Sequence, residues 1–241
     1  MDFFDELIEK LKEEALKNSS SDVSPEEWDK FLHPEKHPSE SPMMEAAPEK
    51  TEIQAESVFD ITALQQNIAG CRECPLCKVR KNPALSYGDA GARLMIVVEN
   101  PSLLDDEENQ IFAGEVGILL DKMLSAMGLQ RKDTYITAIV KCRTPGSRPP
   151  SEDEVKCCTE KFFKAEVKAV HPECILAFGA GFAKDILHRE GTISAVRGNF
   201  DSYDGIPVMS TFNPAYLLRQ PSAKKIVWND LQMVMKALGL K

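Results

Sequence analysis

The 241 residues suit one large domain, or one domain with a tail. No run of about 18 apolar residues occurs, which excludes a membrane-spanning helix. The net charge of −9 is unevenly spread: residues 1–60 carry 17 acids and 6 bases, the remainder 21 acids and 23 bases, so the overall acidity does not exclude a DNA-binding surface.

The chain opens with MDFFDELIEKLKEE, which lacks the basic and apolar regions of a signal peptide, so a cytoplasmic protein is expected. Phe3, Phe4, Leu7, Ile8 and Leu11 recur at helical spacing and predict an amphipathic helix within residues 1–17. That helix is either a docking element on the core or a partner-binding helix on a tether. Residues 18–56 are rich in Ser, Pro and Glu and read as a disordered linker. Residues 57–241 carry the folded domain.

Within that domain short apolar runs at 94–98, 135–140, 174–178 and 207–212 alternate with helical patterns near 115–128, 152–168, 180–189 and 222–238. The runs are almost unbroken, as in strands covered on both faces. Ser151 and Glu154 form a capping box ahead of the second helix. The alternation predicts an α/β domain of three layers with a mainly parallel central sheet. Such sheets bind ligands beyond the carboxyl ends of their strands. Polar and small residues stand there in every case: residues 99–102, 141–143, 179–181 and 213–214.

Seven cysteines without a secretion signal point away from disulfides and toward metal. Cys71, Cys74 and Cys77 form a C-x-x-C-x-x-C run; Cys142 ends the second long strand; Cys157 and Cys158 begin the helix after it. Val155, Cys158, Phe162 and Phe163 share one helical face, which turns Cys158 inward and Cys157 about 100° away. Cys174, inside an apolar run, reads as strand packing. Four thiolates suit a cubane iron–sulfur cluster, but they also suit zinc, and four unconnected structural cysteines remain an alternative.

Residues 68–239 resemble the family 4 type of uracil-DNA glycosylases, the iron–sulfur group of bacteria and archaea. The resemblance is carried by Cys71-Arg-Glu-Cys74, by Val98-Glu-Asn-Pro-Ser102 where the family has Gly-Glu-Ala-Pro-Gly, and by Ile111-Phe-Ala-Gly114. It continues through Val140-Lys-Cys-Arg-Thr-Pro145 with Arg148, Pro150, Glu154 and Cys158, and through Arg197-Gly198 and Thr211-Phe-Asn-Pro-Ala-Tyr-Leu-Leu-Arg219, with Trp228 and Asp230 beyond. It implies a uracil-DNA glycosylase-like fold and a [4Fe-4S] cluster on Cys71, Cys74, Cys142 and Cys158, the last pair at the family's spacing of 16 residues. It implies a DNA glycosylase of base excision repair, acting on damaged duplex or single-stranded DNA as a monomer away from membranes.

The same resemblance assigns roles. Phe112 would stack on the extruded base. Glu99 and Asn100 would flank the attacked carbon, and Asn213 would donate to the base O2. Arg143, Arg148, Arg197 and Arg219, with Lys224 and Lys225, would meet phosphates. Leu217 and Leu218 would wedge into the gap left in the stack. Three positions depart from the family: Val98 for its glycine, Ala138 for the asparagine that reads the uracil edge, and Asn213 for its histidine. Asn100 and Asn213 each precede proline, as in the mismatch-specific branch of the superfamily. The expectation is a slow glycosylase of broadened base preference; the alternative is an inactive DNA-binding iron–sulfur homologue whose leader recruits a partner. The four histidines, His33, His37, His171 and His188, stand where none can replace the lost one.

Overall fold

The computed structural model describes residues 61–240. The predicted helix at 2–17 and the linker at 18–56 lie outside these residues. Six strands form one sheet: β1 (Tyr87–Gly88), β2 (Leu94–Val98), β3 (Thr134–Ala138), β4 (Cys174–Phe178), β5 (Phe200–Tyr203) and β6 (Ile206–Thr211). Their order is β1-β3-β2-β4-β6-β5. The four inner strands run parallel, and the two edge strands β1 and β5 pair antiparallel. Every residue of β2, β3 and β4 is buried, as the unbroken apolar runs require.

The helices are α1 (Ile61–Ala69), α2 (Leu103–Glu108), α3 (Gly114–Ala126), α4 (Glu152–Cys158), α5 (Lys164–Val170), α6 (Ile193–Val196), α7 (Pro214–Arg219) and α8 (Lys224–Ala237). Alternating strand residues feed two cores. Leu94, Ile96, Ile136, Leu176 and Met209 pack with Leu120, Leu124, Leu217 and Leu231 of α3, α7 and α8. Met95, Val97, Tyr135, Ile175 and Val208 pack with Val155, Cys158, Phe163 and Val167 on the opposite face. The fold is therefore the expected three-layer α/β arrangement. No helix among the described residues is long and apolar enough to cross a membrane.

The helix predicted over 152–168 is interrupted. A π turn over Thr159–Phe163 joins α4 to α5. The extra residue shifts the helical phase, so Val155, Cys158 and Phe163 enter the second core, whereas Phe162 packs with Leu64 and Ile68 of α1. Lys141, expected at the crevice, is instead fully buried against Glu166 of α5, with Nζ 2.7 Å from Oε2.

Candidate active site and cysteine face

The parallel strands end side by side. Val98 stands opposite Ala138 and Phe178, and Phe178 opposite Thr211. Pairing continues one step further, with the amides of Ile139 and Val140 donating to the carbonyls of Val98 and Glu99, and that of Gly179 to Thr211. This brings residues 99–100, 138, 178–181 and 213 to one edge of the sheet; the sequence placed 99–102, 179–181 and 213–214 there, but β3 ends at Ala138, short of the expected run to residue 140.

Asn100 is half-buried, and its Nδ2 donates to Thr144 Oγ1 at 3.2 Å and to the Pro101 carbonyl at 3.4 Å. The orientation leaves Oδ1 as an acceptor without a partner among the described residues. Asn213 is the N-cap of α7, its Oδ1 accepting from the Ala215 amide at 2.8 Å. The cap engages the oxygen and leaves Nδ2 as a donor without a partner among the described residues. One side chain thus offers a free acceptor and the other a free donor.

Phe112 is buried, with its ring edge-on to Phe178 at 5.6 Å and 82°. Its φ of +58° lies in the left-handed region, which costs a non-glycine residue about 1–3 kcal/mol and persists only where the surroundings enforce it. Ala138 offers only a methyl group beside it. Glu99 is half-buried and lies against Gly181: a Cβ added there would come within 2.6 Å of the Glu99 carboxyl. Burial holds the Glu99 pKa above its ordinary value, Asp185 adds to the rise, and Lys184 opposes it. Because the group in the way is a flexible carboxyl end, Gly181→Ala is expected to leave the thermal midpoint close to wild type while displacing Glu99. Base release should then fall by about 10- to 10²-fold in single-turnover assays.

The proposed DNA contacts divide. Arg143 faces Asp106, Arg148 forks onto Glu154, and Arg197 grips the fully buried Asp230. Arg219 is exposed and has no partner among the described residues. Lys224 is buried, and burial lowers its pKa, with Lys122 adding to the effect. Leu217 is fully buried in the first core and Leu218 is half-buried. The exposed aromatic side chain of α7 is Tyr216, stacked on Phe212 at 4.9 Å and 16°.

Cys74, Cys142 and Cys158 lie on the opposite face of the sheet from Phe112, whereas Cys174 shares its core. Cys142 and Cys158 are buried in the second core, with Cys74 packed against it and Cys71 against α1. Burial pushes the Cys142 thiol up to about 11 against the pull of Arg80, and the Cys158 thiol up to about 12. Both thiols also sense the charge of Cys74. Cys157 is half-buried and senses Cys74 and Cys71. Cys174 is buried within β4, as strand packing requires. Arg80 ties the segments together: Nη1 donates to Cys142 Sγ at 3.0 Å, and Nη2 to the carbonyls of Ala69 and Cys71 at 3.0 Å each. Among the described residues no three His, Cys, Asp or Glu side chains converge closely enough to hold a single metal ion.

Sequence reasoning missed Arg80, Tyr87, Asp105, Arg131 and Tyr216. Arg80 had a signal, a base three residues beyond Cys77. Tyr87, Asp105 and Arg131 grip backbone atoms, which leave no mark in a sequence.

A mainly parallel α/β sheet with a buried ring and two oriented amides near its carboxyl edge accompanies the family match: the chain belongs to the Uracil DNA glycosylase superfamily, whose profile matches residues 85–232. Within it, the chain is 34% identical over 173 residues to the type-4 uracil-DNA glycosylase of Thermotoga maritima, covering 70% of this chain and 90% of that protein. It is 33% identical over 183 residues to the type-4 enzyme of Pyrobaculum aerophilum, covering 73% and 93%, and 30% over 191 residues to that of Saccharolobus solfataricus, covering 76% and 88%.

Proposed function

We propose that this protein is a DNA glycosylase of base excision repair that hydrolyses the N-glycosidic bond of uracil or another deaminated base. The observation that carries the reading is the pair of asparagines at one sheet edge, with Asn100 Oδ1 left to accept and Asn213 Nδ2 left to donate. The target base must leave the helical stack to reach such a site. Phe112 then supplies a face for it. Asn213 Nδ2 donates to the base O2, where negative charge grows as the C1′–N bond breaks and the base departs with the bonding electrons. Asn100 Oδ1 accepts a hydrogen bond from the water whose oxygen bonds to C1′, and ionised Glu99 beside it favours positive charge on the sugar and receives the water's proton. Ala138 offers the pyrimidine edge no hydrogen-bonding group, so discrimination between bases is weak.

A panel of single-lesion oligonucleotides carrying uracil, hypoxanthine or xanthine tests this, with wild type beside Asn100→Ala. Wild type is expected to release base from more than one, and Asn100→Ala from none at a comparable rate. Equal residual release by both would remove Asn100 from the chemistry. The pH profile adds a second check. Base release should fall as pH drops through the Glu99 pKa, which lies above the ordinary 4.5, and Glu99→Gln should flatten that limb. The sign for stability is opposite: because folding favours the protonated form, Glu99 contributes less as pH rises through the same window.

The cysteine face supports a resident [4Fe-4S] cluster on Cys71, Cys74, Cys142 and Cys158. The thiols come from segments far apart in the chain and sense one another's charge, and Arg80 supplies a cation beside them. Such a cluster would supply a structural staple between α1, the β3 end and α4. Protein purified without oxygen is expected to be brown, with stoichiometric iron and acid-labile sulfide. Stoichiometric zinc without iron would overturn this assignment.

A further inference from the structure

The segment around Phe112 is gripped at three consecutive residues by three different elements. Tyr87 of β1 donates its hydroxyl to the Ile111 carbonyl at 2.8 Å. Arg131, in the turn before β3, directs Nη1 and Nη2 at the Phe112 carbonyl, each at 3.4 Å. Asp105 of α2 accepts the Ala113 amide on Oδ1 at 2.8 Å. The grips are themselves braced. Arg131 Nη1 donates to Tyr87 Oη at 3.0 Å, and its Nε donates to Asp121 of α3 at 2.5 Å. Asp105 Oδ2 accepts from the Ser102 amide at 2.8 Å, closing the capping box of α2. Space is closed as well. A Cβ at Gly117 would lie 2.0 Å from the Phe112 carbonyl oxygen and 2.4 Å from Arg131 Nη2, so only glycine lets α3 come this close.

A core phenylalanine does not need this. Burial is non-directional, and a ring wanted only for packing would relax to an ordinary backbone conformation. Here the left-handed φ of Phe112 is held by hydrogen bonds to the residue before it, to itself and to the residue after it. Resting on the glycosylase reading, we propose that Tyr87, Asp105 and Arg131 are positioning residues that lock the Phe112 backbone and so set the plane on which the extruded base stacks.

The test uses the full chain with Tyr87→Phe and Arg131→Met, each alone and combined with Phe112→Ala. In the otherwise wild-type protein each is expected to slow single-turnover base release by about tenfold, and in the Phe112→Ala background by less than about twofold. Equal losses in both backgrounds would mean that the residues act elsewhere, and would overturn the proposal. A second readout is independent of turnover. In fluorophenylalanine-labelled protein the Phe112 resonance, assigned by its loss in Phe112→Ala, should shift and broaden in both variants. An unchanged resonance overturns the clamp. If wild type releases no base while the resonance still responds, the glycosylase reading fails and the clamp stands.

Discussion

Asn213→Asp is expected to abolish base release to within the detection limit of a single-turnover assay while leaving the fold as stable as wild type. The two halves of the Asn213 amide do separate jobs. Oδ1 caps α7 through the Ala215 amide, and an aspartate oxygen caps equally well, with the helix dipole favouring its charge. Nδ2 is the proposed donor, and aspartate would replace it with an anionic acceptor facing the same developing negative charge. Asn213→Ala should lose about 10²–10³-fold in rate, the usual worth of one preorganised donor, and about 1 kcal/mol of stability with the cap. Asn213→His, which restores a ring N–H donor, should recover uracil release relative to Ala while paying the same cap penalty. Rates and thermal midpoints measured on all three separate the roles. An aspartate variant that releases base at the wild-type rate would remove Asn213 from catalysis.

How much of this was legible follows from what each residue contacts. The inner strands were readable because burial on both faces leaves nearly unbroken apolar runs. The edge strands were not: β1 has two residues, and β5 alternates exposed and half-buried positions, which four residues cannot distinguish from a loop. Helix phase chose Cys158 over Cys157 for the interior, and its burial agrees. The same phase put Phe162 on that face, and the π turn moved it to α1, because a single inserted residue is invisible to a 3.6-residue period. Glu99, Asn100 and Asn213 were readable as polar residues beyond strand ends, and the family resemblance marked them and Phe112 for their roles. Their supports were not readable. Tyr87 and Arg131 serve carbonyl oxygens, which every residue possesses, and the free amide ends of the two asparagines depend on hydrogen bonds that only the folded chain displays.

The same limit hid the pair whose disruption should cost most. Lys141 sits at the end of the β3 segment, and its Nζ reaches Glu166 Oε2 at 2.7 Å, the Ala138 carbonyl at 2.8 Å and Thr137 Oγ1 at 2.5 Å. Glu166 in turn accepts from the hydroxyls of Ser86, Thr137 and Tyr135. Both charges are essentially without solvent contact. Lys141→Met leaves the Glu166 carboxylate buried without its cation, and urea unfolding is expected to register a loss on the order of 3–5 kcal/mol. Adding Glu166→Leu to it removes the orphaned charge and should recover a large part of that loss, though the three hydroxyls then lack their acceptor. A single variant as stable as wild type would show that the pair contributes nothing. Its position gives the prediction a functional edge: Lys141 holds the carbonyl of Ala138, at the proposed base pocket, and is the residue before Cys142. A double variant that regains stability without regaining base release would place the ion pair's role in geometry, since hydrophobic packing can replace its energy but not its hydrogen bond to the pocket wall.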